Sequence, residues 1–165
     1  MPYTHLLEQI EIFADLDNER LRRISAICTE RLYEPGDVIF HENTQSDELF
    51  VILQGEVEIQ VDPKMLGVSA DESPGPTTIA TLRRDQSFGE IALVDKGLRS
   101  ASARCAAPGT HLLAIQRDDL IELCQQDFEM GYLVMRNMAG DLAFKIRQTD
   151  LMVREQLLWA PVSNP

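Results

Sequence analysis

Apolar and polar residues alternate through much of the first half of this chain, and that period of two describes strands. Val38 and Phe40 alternate, then Leu49, Val51 and Leu53, then Val57, Ile59 and Val61. Successive side chains on a strand point to opposite faces, so each run is a ribbon with one apolar face. Asn43 and Gly55 punctuate the runs, and Gln54-Gly55 reads as a tight hairpin turn. Short strands resume at Thr77–Leu82, Ser100–Ala106 and His111–Ile115. Many short strands with turns between them predict a compact β-roll or barrel.

Helical periods flank this region. Residues 4–32 read as helical, with Asp17 as an N-cap and Leu21, Ile24, Ile27 and Cys28 on one face. Glu34-Pro35-Gly36-Asp37 is a turn that ends the helix and starts the strands. Residues 117–124 read as a short helix capped by Asp118. From Phe128 to about Leu158 there is no proline, and a long helix is expected. Its seam of Tyr132, Met135, Ala139, Leu142, Ile146, Thr149, Val153 and Gln156 steps by three and four, which is a heptad pattern. Residues 62–76 are rich in loop formers and are expected to be mobile. The chain thus divides into an N-terminal helical segment (1–36), a strand-rich region (37–116), closing helices (117–159) and a tail (160–165).

The residues most informative about chemistry are Ser87-Phe88-Gly89-Glu90-Ile91-Ala92-Leu93, followed by Arg99-Ser100-Ala101. Gly89 has no Cβ and lets a backbone approach a ligand closely. The run after it can begin a short helix, whose first N–H groups point at an anion. Arg99 carries a permanent charge on a planar fork of donors suited to phosphate oxygens. Glu90 only accepts hydrogen bonds when ionised, so it suits a sugar hydroxyl rather than phosphate. The combination points to a nucleotide whose ribose and phosphate are held side by side.

Charge and composition narrow the classes. The formal charge is −12 over 165 residues, which argues against nucleic-acid binding. An anion site must therefore be built locally, against the field of the whole chain. No apolar run is long enough to span a bilayer, and Met-Pro-Tyr-Thr-His lacks the features of a signal peptide, so a cytoplasmic protein that avoids membranes is expected. Cys28, Cys105 and Cys124 show no paired spacing, and small apolar filler is their expected role. His5, His41 and His111 are far apart, so no metal site is expected. No nucleophile–base constellation is visible, and an enzyme is not expected.

The segment 87–101 resembles the phosphate-binding cassette of cyclic nucleotide-binding domains, the β-roll modules of catabolite-activator-type regulators, cyclic-nucleotide-dependent kinases and some ion channels. The Glu90-to-Arg99 spacing is similar to that of the kinase and channel versions. Pro35-Gly36-Asp37, Gln54-Gly55 and the closing helices extend the resemblance over roughly residues 5–155. It implies a mainly β fold with flanking helices: a double-stranded, jelly-roll-like β-roll with N-terminal helices and a long C-terminal helix. It also implies that Gly89, Glu90, Ile91, Ala92 and Arg99 hold the ribose and cyclic phosphate, with Ser100 and Ala101 completing the phosphate wall. Ile79 and Thr149 would flank the base. The sequence departs from the family's pattern at Leu98, where proline is frequent, and at Asn43 and Asp85, where glycine is usual. The helix-turn-helix that the regulators carry after the long helix is not expected here.

The implied protein is a stand-alone sensory module. It would bind cAMP or cGMP and report by movement of its C-terminal helix. It would pair as a homodimer through that helix and act on an unidentified protein partner. The alternative is a ligand-free scaffold of the same fold that serves as a dimeric protein-interaction module.

Overall fold

The computed structural model describes residues 3–45, 47–67 and 75–159. In chain order its elements are α1 (Thr4–Leu7), α2 (Asn18–Ala26), β1 (Cys28–Tyr33), β2 (Val38–Phe40), β3 (Glu48–Gln54) and β4 (Glu56–Val61). There follow β5 (Thr77–Arg83), β6 (Ser87–Phe88), α3 (Ile91–Val94), β7 (Ser102–Cys105), β8 (Thr110–Gln116), α4 (Arg117–Gln126) and α5 (Phe128–Trp159).

The strands form two four-stranded sheets, ordered β1-β8-β3-β6 and β2-β7-β4-β5. Their pairings are antiparallel. The apolar runs of β3 and β8 explain their central places. Phe50, Ile52, Leu112 and Ala114 pack with Val57, Phe88 and Ala103 in one cluster between the sheets. Leu49, Val51, Leu113 and Ile115 pack in a second cluster with Phe13, Leu21, Ile24, Leu120, Val134 and Met138 from the helical segments. Both faces of these strands are therefore covered, and each fully buried Leu, Ile or Phe contributes about 1.5–3 kcal/mol. This is the expected β-roll with flanking helices.

Three local expectations change. Helix does not run through residue 32: α2 ends at Ala26, and Cys28–Tyr33 is β1. The apolar spacing of Leu21, Ile24, Ile27 and Cys28 continues unbroken, so no period marks the change. β1 gains its strand conformation from the β8 ladder, Cys28 opposite Ile115 through Tyr33 opposite Thr110.

Gln54-Gly55 is not a hairpin turn. β3 and β4 belong to different sheets, so Gly55 is the corner where the chain changes layer. Its φ is +91°, and a Cβ there would lie 2.7 Å from the Thr110 Cα. Asp118 does not cap α4. The N-cap is Gln116, and the Asp118 carboxylate instead accepts from Arg117 Nη1 at 2.9 Å.

The Asp17 carboxylate caps α2 by accepting from the Arg20 N–H at 2.9 Å. Asn43 and Asp85 stand where the resembled family has glycine, and both take positive φ, 61° and 67°. Their short polar side chains tolerate that left-handed backbone. Of residues 62–76, Pro63–Leu66 forms a 3-10 turn capped by Asp62, while 68–74 lie outside the described residues, as does the tail 160–165.

Candidate functional site

The cassette is anchored to the core by β6, where Phe88 pairs with Phe50 of β3. Immediately after it the chain turns at Gly89, with φ +79°. A Cβ at Gly89 would lie 2.7 Å from Arg99 Nη1 and 2.9 Å from the Glu48 carbonyl oxygen. Only glycine lets the guanidinium lie this close to the turn. Glu90 then leads into the four-residue helix α3.

Arg99 is fixed at its backbone by the turn around Asn43. The Asn43 N–H donates to the Arg99 carbonyl at 2.9 Å, and the Arg99 N–H donates to the Thr44 carbonyl at 2.8 Å. Its side chain is buried, with the residue 6 % exposed. Nη2 donates to the Glu48 carbonyl at 2.9 Å and Nη1 to the Gly89 carbonyl at 3.5 Å. The guanidinium carbon lies 4.0 Å from the centre of the Phe40 ring. Nε is buried without a hydrogen-bond partner, and no carboxylate forms an ion pair with Arg99 among the described residues. Burial pushes its pKa down, with Asp47, Glu48 and Glu90 opposing the shift. Such a site favours an arriving anion, which would supply the missing counter-charge.

Glu90 is 5 % exposed. One carboxylate oxygen, Oε1, accepts from Lys145 Nζ at 2.9 Å. The other, Oε2, is buried without a partner among the described residues and can accept a hydroxyl proton donor. Lys145 lies on α5 and is shared with Asp141, 2.8 Å away. Burial lowers the Lys145 pKa, but the charges and hydrogen bonds of Glu90 and Asp141 outweigh it, and the net shift is upward.

These groups border a cavity of about 650 Å³ between the second sheet, the cassette and α5. That is within the range of small-molecule sites. Its wall is largely apolar and includes Phe40, Ile59, Leu82, Leu98, Ile146 and Met152. Of the residues selected from sequence, Gly89, Glu90, Ile91, Arg99, Ser100, Ala101, Ile79 and Thr149 line it together. Ala92 does not. It is fully buried beneath the cassette, and its N–H donates to the Gly89 carbonyl at 3.1 Å. The Thr149 hydroxyl donates back to the Lys145 carbonyl at 3.0 Å and retains its acceptor capacity toward the cavity.

Sequence reasoning missed Phe40 and Lys145 as site residues. Lys145 lies four positions before Thr149, so helical spacing places both on one face. Phe40 carried no signal beyond its strand period. The heptad seam also has two uses. Leu142, Ile146, Thr149, Val153 and Gln156 border the cavity, while Tyr132, Ile146 and Val153 remain exposed. The stripe of α5 buried against the roll is Met130, Val134 and Met138. No group of metal-ligating side chains occurs among the described residues, and none of their helices is long and apolar enough to cross a membrane.

Residues 30–127 match the family model of the cyclic nucleotide-binding domain. The chain is 30% identical over 131 residues to cGMP-dependent protein kinase, isozyme 1, of Drosophila melanogaster, covering 75% of this chain and 16% of the kinase. It is 31% identical over 140 residues to the cyclic AMP receptor protein of Thermus thermophilus, covering 85% of this chain and 59% of the receptor. The chain thus spans less than two-thirds of the length of these relatives. Its fold is similar to the crystal structure of a cyclic nucleotide-binding domain from Methylobacillus flagellatus, with a TM-score of 0.75 and 24% identity, over 92% of this chain and 81% of that one.

Proposed function

The chain belongs to the cyclic nucleotide-binding domain family, and we propose that it is a sensory module that binds cAMP or cGMP through the ribose and cyclic phosphate. The observation that carries this reading is Arg99: a buried guanidinium with an unpartnered Nε and no carboxylate partner among the described residues, at the edge of a ligand-sized cavity. A cyclic phosphate there regains charge-assisted hydrogen bonds and restores the charge balance. Glu90 accepts a ribose hydroxyl at its free Oε2 while Oε1 keeps Lys145. Ser100 and Ala101 bound the phosphate, and Ile79 and Thr149 bound the base.

The same contacts supply a route to output. Lys145 joins Glu90 to α5, so a ligand on Glu90 acts on the long helix directly. It shifts that helix only by its differential affinity for two states. The exposed seam of α5 supports homodimerisation and a protein partner that reads the helix position. In this reading the chain binds and signals, without catalysis or a metal.

The test is calorimetry on the wild-type chain and Arg99→Ala with cAMP and cGMP. The variant stays folded and loses binding by about 100-fold or more, the cost of a missing charged donor pair. Unchanged affinity rejects the site. Thermal shift with cAMP, cGMP and linear AMP separates ligands, because only a molecule that binds the folded state raises the melting temperature.

A second reading, a dimeric interaction module with an unused pocket, draws support from the Lys145–Glu90 ion pair, which already occupies half of the ribose acceptor. It predicts no thermal shift with either cyclic nucleotide, and a dimer that forms without ligand.

A further inference from the structure

The Arg99 guanidinium has carbonyl oxygens on its edge and an aromatic ring on its face. Glu48 and Gly89 meet its two Nη atoms. Those contacts hold the outer end of the group, the one to Gly89 at a long 3.5 Å. The Phe40 ring covers the face, with the guanidinium carbon 4.0 Å from its centre. Aromatic faces are negative and attract a cation, most strongly where water is excluded.

Phe40 is itself held in place. It ends β2, and the register of β2 against β7 shifts between Val38 and Phe40. Such an irregularity re-aims a side chain relative to regular pairing. The Phe40 ring centre lies 5.9 Å from those of both Phe50 and Phe88, which stack on each other at 5.2 Å. Three rings from three strands thus form a rigid bed beneath one cation. Phe88 is also the residue before Gly89, so the bed and the turn that admits the guanidinium are built together.

We propose that Phe40 is a positioning residue, whose ring face holds the Arg99 guanidinium at the cavity edge in the orientation that meets an arriving anion. The ring takes the place that a carboxylate holds in an ordinary buried ion pair. A carboxylate would neutralise Arg99 and compete with the anion, whereas a ring steadies it and leaves the positive charge available. The affinity consequence rests on the cyclic-nucleotide reading above, while the placement of Arg99 does not.

The experiment compares the full chain with Phe40→Leu and Phe40→Tyr. Leucine keeps apolar bulk and removes the ring, while tyrosine keeps the ring. In the ligand-free protein, the Arg99 side-chain Nε–Hε NMR signal is read, assigned by its disappearance in Arg99→Lys. The stack places the wild-type proton upfield through the ring current, and Phe40→Leu returns it toward the ordinary arginine position. Calorimetry with cAMP and cGMP then shows about tenfold weaker binding for Phe40→Leu and near-wild-type binding for Phe40→Tyr.

An unshifted wild-type signal overturns the proposal, even where Phe40→Leu does not fold. So does wild-type affinity in Phe40→Leu, or a loss in Phe40→Tyr as large as in Phe40→Leu. If the wild-type chain binds neither nucleotide, the proposed function falls and the NMR comparison alone decides the role of Phe40.

Discussion

The Lys145 ammonium lies 2.9 Å from Glu90 Oε1, joining a 32-residue helix to the cassette across 55 residues of sequence. Glu90 is nearly fully buried, so the contact satisfies a carboxylate that water reaches poorly. Lys145→Met removes it and leaves Glu90 with one partner fewer. The expected loss is about 1–2 kcal/mol, read from chemical denaturation at neutral pH.

The same pair gives a pH signature. The Lys145 pKa is raised above its ordinary 10.5 in the folded state. Its contribution is therefore complete below pH 10.5 and disappears as the pH rises through the higher folded value. On the alkaline side the stability gap between wild type and Lys145→Met narrows as the pH rises past 10.5. A gap that stays constant through strong alkali would assign the effect to another group.

Asp127 ties α2 to the start of α5. It accepts from Arg20 Nε at 2.8 Å and lies 3.5 Å from Arg23 Nη1, both on α2, and it accepts the Met130 N–H of α5 at 3.0 Å. The hydrogen bond from Arg20, followed by that from Met130, holds its carboxyl below the usual range. A depressed carboxylate stabilises above its unfolded pKa and loses that effect as the pH falls through the folded value. Asp127→Asn is thus less stable than wild type at neutral pH. The two melting temperatures converge in acid, below about pH 3.8.

Gly55→Ala tests the corner between the sheets. The substitution strains a backbone at φ +91° and drives a methyl group into Thr110. A cost of about 2–4 kcal/mol is expected in denaturation. Gly109→Ala is the control, since its φ is +62° but nothing lies within 4 Å of the added carbon. Its cost is about 1–2 kcal/mol, from the backbone alone. Equal costs would remove Thr110 from the account.

The last turns of α5 expose Leu157, Leu158 and Trp159. Under the proposed homodimer, Leu157→Glu shifts the chain to monomer in light scattering and leaves its melting curve as a monomer intact. A wild-type chain that is monomeric at all concentrations would sink that proposal.

Much of the fold was legible because periods are local. Alternation marked β2, β3 and β4, and the proline-free run marked α5. Glu90 and Arg99 could be paired from spacing alone, because a short cassette keeps them close whatever surrounds it. Cys28–Tyr33 was not legible, since an edge strand with mixed exposure takes its conformation from the β8 backbone opposite it. Gly55 announced a turn, but not that the turn changes sheets.

The sequence by itself determined most of the strands, the long helix, the cassette and the residue types available for an anion and a hydroxyl. The tertiary structure decided what those groups meet. It placed Phe40 over Arg99 and Lys145 on Glu90, and it left Nε and Oε2 without partners. The reason is physical. Hydrogen bonding along a helix or turn is set by neighbours in the chain. The partner of a buried charge is set by which distant elements the packed core brings within about 4 Å.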